Sequence, residues 1–84
     1  MSSRAARHDL VVHPDDNVTT LLDEHVGRTR LVSGLAIESG VPFGHKVALR
    51  DIRAGEPVIK YGLVIGHATV DIATGNHVHV HNVR

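Results

Sequence analysis

The chain has 84 residues and is 42% hydrophobic, but one Phe, one Tyr, no Trp and no Cys leave short aliphatic side chains to build one modest core without a disulfide. Nine Lys and Arg balance nine Asp and Glu, which argues against a nucleic-acid partner, since neither a basic surface nor stacking platforms are available. Arg4 and Arg7 have no apolar stretch behind them and no apolar run approaches the roughly 18 residues that span a bilayer, so a soluble, cytoplasmic protein with no membrane partner is expected.

Residues 1–7 are small or basic and lack periodicity, so they read as a disordered tail, with a single domain over residues 8–84. Asp9 to His13 form a first short apolar run that stops at the turn formers Pro14, Asp15, Asp16 and Asn17. From Val18 to Arg30 the pattern is ambiguous. Val18, Leu21, Leu22 and Val26 have helical spacing, whereas Val18, Thr19 and Thr20 favour a strand. The second half contains a repeat: Asp51-Ile52, Gly55 and Val58 recur as Asp71-Ile72, Gly75 and Val78, with a degenerate third copy at Asp23 and Gly27. The repeat reads as a turn in which Asp bonds backbone N–H groups two or three residues on and Gly supplies a positive φ. Strands are expected at 46–49, 58–61, 63–65, 68–72 and 78–83, giving a mainly β, all-β domain with room for one brief helix. With so small a core, a homo-oligomer or a complex is expected.

Eight histidines stand out. On a strand, His77, His79 and His81 would share one face and Val78 and Val80 the buried other. Neighbouring imidazoles would lie about 6.6 Å apart along that face, so two of the three could meet one metal ion, although a solvated polar face fits the pattern equally well. Gly44, His45 and Lys46 form a second cluster, in which Lys46 would attract a carboxylate and His45 exchange a proton as catalytic residues. An ordinary polar turn is the competing reading there. Lys60, Tyr61 and Asn82 are candidate substrate-binding residues, while His8, His13, His25 and His67 are isolated.

The stretches Pro42 to Leu49, Asp51-Ile52, Gly55 to Gly62, Val64-Ile65-Gly66 and His77 to Val83 resemble the SAF-type β-clip domain of the altronate and galactarate dehydratase family. That domain also occurs as the small subunit of sulfolactate sulfo-lyase. The resemblance implies a β-clip fold and a place beside a large catalytic lyase subunit that removes water or sulfite from a 2-hydroxy acid. It also implies Fe2+ or another divalent metal, held mostly by that partner. The alternative is a stand-alone β-clip module that binds a small carboxylate or a metal.

Overall fold

In the computed structural model, which describes residues 5–84, six short strands form two antiparallel sheets. They are β1 (Asp9–Leu10), β2 (Val18–Leu21), β3 (Lys46–Ala48), β4 (Pro57–Lys60), β5 (Leu63–His67) and β6 (His77–Val78). One sheet has the order β1-β2-β3-β6 and the other is the β4-β5 hairpin. No helix element occurs among the described residues, and the ambiguous segment resolves as strand β2 followed by turns. Helical spacing loses there because Val18 and Leu21 serve different cores, on either side of a strand.

Strand β3 is buried on both faces. Ala48 joins Val18, Ile52, Val58, Ala68, Ile72 and Val78 in one core, and Val47 joins Leu21, Leu31, Ile37 and Val41 in a second.

The repeat copies lock into one another. Ile52 and Ile72 exchange backbone bonds of 2.8 and 2.7 Å. The Asp51 carboxylate accepts from the Thr74 N–H at 2.8 Å and its hydroxyl at 2.7 Å, while Asp71 accepts from the Ala54 N–H at 2.8 Å. Each Asp therefore caps the other copy's turn, not its own, which corrects the local Asx reading. An extended exit at Ile52 and Ile72 sets the two turns side by side, so the nearest free N–H groups belong to the neighbouring copy. Gly55 (φ 88°) and Gly75 (φ 84°) close the turns, and a Cβ on Gly75 would run into the Ala36 carbonyl oxygen. The third copy keeps the local bond, Asp23 Oδ1 accepting from the His25 N–H at 3.0 Å, but Gly27 lacks a positive φ and Arg7 and His8 also bind the carboxylate, so it does not close as the other two do.

Asp23 instead holds the chain start. Arg7 is fully buried, its Nε 2.9 Å from Asp23 Oδ1, and it donates as well to the carbonyls of Asp23 and Val41. Its backbone joins Arg30 and Val32. Ala6 and Arg7 are thus built into the domain and do not belong to a frayed tail, while residues 1–4 lie outside the described residues. The guanidinium reverses the expectation because carboxylate and carbonyl oxygens replace its water.

Two strand expectations shorten. Residues 68–72 form bridges at Ala68 and Ile72 with bends between them. The run after Val78 leaves the sheet because Asn82 Oδ1 accepts from the His79 N–H and Asn82 Nδ2 donates to the His77 carbonyl, closing a turn. Val78 is buried as expected, but Val80 is 82% exposed. At the β4-β5 tip, Tyr61 (φ 57°) and Gly62 (φ 72°) form a two-residue turn with both φ positive. For Tyr this conformation costs about 1 to 2 kcal/mol.

Burial works against ionising Asp16 and Asp23. It is outweighed at Asp16 by hydrogen bonds from the N–H groups of Gly62, Tyr61, Val12 and His13, and at Asp23 by those from His8, Arg7 and His25. Bonds from Thr74 lower Asp51 likewise. With folded pKa values below the unfolded value of about 3.9, these carboxylates stabilise the fold above that pH and stop doing so as pH falls through the folded values. The urea midpoint should drop as pH falls below about 4, and less so in Asp51→Asn; a slope with pH that is identical in Asp51→Asn would contradict the crossed caps. Ile52→Ala should cost about 2 to 4 kcal/mol in urea unfolding, and a loss within error of zero would contradict its place in the core.

Candidate metal centre

The second repeat turn docks on the end of β3. Gly75 N–H donates to the Ala48 carbonyl at 2.7 Å and Ala48 N–H to the Asn76 carbonyl at 2.9 Å. The chain then enters β6 antiparallel to β3, with His77 opposite Val47 and Val78 opposite Lys46. This register brings His77 to His45, which lies just before β3 behind the positive-φ Gly44.

His45 Nδ1 and His77 Nε2 are 2.8 Å apart, so one ring donates a proton to the other. The His79 ring stacks on His45 with centroids 3.6 Å apart and planes 10° from parallel. One ligating nitrogen from each of His45, His77 and His79 can be chosen so that all lie within 4.8 Å of one another, and all three residues are half-buried. Nitrogens around a tetrahedral ion at about 2.0 to 2.1 Å would be somewhat over 3 Å apart, near the spacing here, and the stacked His45 and His79 rings would tilt apart to aim both lone pairs at one ion. Three imidazoles leave a fourth position for substrate or water.

The electrostatics favour neutral rings. Burial first, then the imidazoles of His81 and His45, lowers the His77 pKa below the ordinary histidine value, with Glu38 pulling the other way. Burial, His45 and Lys46 lower His79. Neutral imidazole is the form that ligates.

His81, expected on the same face, is exposed and its ring is tilted 43° to that of His77 at 4.9 Å, outside the convergent set. The strand alternation that would have aligned it ends at Val78. Lys46 flanks His79. Lys60 and Tyr61 occupy the β4-β5 turn, which is fastened to Asp16 through the Gly62 N–H. Lys60 is nearly buried, its Nζ 4.3 Å from the Tyr61 ring centroid. Asn82 is buried and its amide holds the His77–Asn82 turn, so its visible work is to position His79. Glu38, not singled out from the sequence, accepts from the His77 N–H at 3.0 Å. Nothing in its local pattern signals this, because the contact comes from a distant loop.

No helix among the described residues is long and apolar enough to cross a membrane. A family model described as the altronate/galactarate dehydratase SAF domain matches residues 7–84. Altronate dehydratase of Bacillus subtilis (strain 168) is 41% identical over 76 residues, covering 87% of this chain but 15% of that protein. (2R)-Sulfolactate sulfo-lyase subunit alpha of Chromohalobacter salexigens is 38% identical over 87 aligned positions, covering 90% of this chain and 93% of that subunit. Galactarate dehydratase (L-threo-forming) of Escherichia coli (strain K12) is 42% identical over 67 residues, 77% of this chain and 13% of that protein. The chain thus spans a small fraction of the dehydratases and nearly all of the sulfo-lyase subunit.

Because His77 and His79 titrate below the unfolded value of about 6.5, the unfolded chain takes up protons first, and stability should decline as pH falls from about 6.5 toward the folded values. This step precedes the carboxylate one. It should shrink in His79→Asn, as read by urea midpoints between pH 7 and about 5; an identical slope in that variant would contradict the packed neutral cluster.

Proposed function

Since the chain belongs to the altronate/galactarate dehydratase SAF domain family, we propose that it is the accessory domain or small subunit of a lyase acting in the cytoplasm. This lyase eliminates water or sulfite from a 2-hydroxy acid such as altronate, galactarate or sulfolactate. Catalysis runs on a separate large polypeptide, and this chain completes the active site. The observation that carries the reading is the pattern of relatives. The same segment is a minor part of two dehydratases and almost the whole of a protein named as a subunit.

The His cluster supports a division of labour. His45, His77 and His79 have the donor chemistry and spacing to hold a divalent ion such as Fe2+. Such an ion would supply Lewis-acid stabilisation of charge developing on the substrate carboxylate. Lys46, a fixed positive charge beside His79, attracts that carboxylate. His45 is read as a ligand more than as a proton carrier, because its Nδ1 already faces His77. The base that removes the proton α to the carboxylate belongs to the large polypeptide, since the imidazoles here are committed to one another.

The test is to isolate the complex formed by the tagged full chain in its own cells and assay it on all three acids. The complex should turn over one of them, while the isolated chain with added iron should not. His45→Ala, His77→Ala and His79→Ala should each lower turnover and iron retention at least about tenfold, with His8→Ala as the unaffected control. Turnover by the chain alone, or three variants as active as the control, would overturn the proposal.

A further inference from the structure

The β4-β5 hairpin carries apolar side chains that the domain itself does not bury. Leu63 is 66% exposed, and Val64 and Ile65 are exposed beside it. A bulge between Val58 and Ile59 disrupts the ladder where Ile65 sits, which discourages further strand pairing and leaves side chains, not backbone, as the means of contact. Ile65 meets the exposed Val80 across a cavity of about 280 Å³, floored by Val78 and Val83 and rimmed by Lys46, His79 and Arg84.

Tyr61 adds an independent sign. Its φ of 57° belongs to a turn position that Asn or Gly fills without strain. Such strain clusters at functional sites, and here it places an exposed Tyr61 ring over the Lys60 ammonium. An exposed tyrosine next to an exposed apolar strand is the composition of an interface anchor.

We infer that the hairpin face, from Tyr61 through Leu63 and Ile65 to Val80, docks the large catalytic polypeptide of the lyase. That polypeptide would present an apolar pocket bordered by carboxylates. This inference rests on the accessory-domain reading and names the surface through which it works. Three observations select this occupant. The cavity lining includes the side chains of Lys46 and Arg84 and no Asp or Glu, so an acidic border complements it whereas a second copy meeting it face to face would set like side-chain charges together. The related dehydratases carry this segment as 13% to 15% of a longer protein, so most of the molecule lies beyond the segment and must be met by one of its faces. The cavity shares His79 with the metal cluster, so a polypeptide seated on the hairpin would bring its reacting groups to His45, His77 and His79.

The experiment compares Tyr61→Asn, Ile65→Asp and Val80→Asp with Val32→Asp, an exposed valine outside the hairpin. Each tagged full chain is used to capture a dehydratase or sulfo-lyase polypeptide, identified by mass spectrometry and by its turnover. Affinity is then measured by biolayer interferometry, and the urea midpoint and sedimentation of each free chain are recorded. Tyr61→Asn should keep or raise the midpoint yet weaken binding at least about tenfold, as should Ile65→Asp and Val80→Asp, with Val32→Asp binding normally. Wild-type binding by the hairpin variants would overturn this surface and leave the accessory-domain reading standing. A lower midpoint in Tyr61→Asn would overturn the reading of its strain. A free chain that is dimeric and made monomeric by Ile65→Asp would assign the face to a second copy instead. If no lyase polypeptide is captured by the unaltered chain, the accessory-domain reading fails and the docking surface falls with it.

Discussion

The reciprocal capping of the two repeat copies is the constraint on which the site depends. Asp51 and Asp71 each fasten the turn of the other copy, and the Ile52–Ile72 bridge joins the two at their shared axis. Each turn then places its outgoing strand beside a strand of the opposite copy: Gly75 and Asn76 bind Ala48, as Gly55 and Glu56 bind Ala68. The first of these fixes the register of β6 on β3, and that register delivers His77 to His45. The convergence of the imidazoles is thereby a consequence of turn chemistry some distance away. The arrangement spends no aromatic side chain, which is why so aliphatic a sequence can fold at this length.

Much of the fold could be read from the sequence because its signals are local. The Asp and Gly of the repeat mark turns by side-chain size and permitted φ, and the Val and Ile runs mark strands. What the residues bond to was not legible where the partner is distant. Asp51 and Thr74 are 23 positions apart and Asp71 and Ala54 are 17, whereas turn chemistry suggests a partner two or three positions on. Arg7 looks like part of a basic tail until Asp23 and two carbonyls surround its guanidinium. Alternation at His77–Val83 presumes a continuing strand. Asn82, a side chain suited to bonding nearby backbone, was the signal that it would end. His79 consequently reaches the cluster from a turn, and His45 replaces His81 as the third imidazole.

Three imidazoles packed at a half-buried surface are poorly suited to act alone. They repel one another when protonated, and they leave lone pairs that a cation would satisfy. The surface around them is asymmetric: apolar on the hairpin side, basic at Lys46 and Arg84, with Glu38 holding the His77 backbone from behind. An imidazole cluster bordered by exposed apolar surface accords with relatives in which the same segment is either a minor part of a dehydratase or a named subunit.

We propose that His45, His77 and His79 close on one ion. X-ray absorption of the Zn2+-loaded chain within its assembly tests this most directly, because imidazole rings give a multiple-scattering signature that counts them. Three imidazole nitrogens at about 2.0 to 2.1 Å are expected, falling to two in His45→Ala and unchanged in His81→Ala. An oxygen-dominated shell, or a spectrum indifferent to His45→Ala, would contradict it.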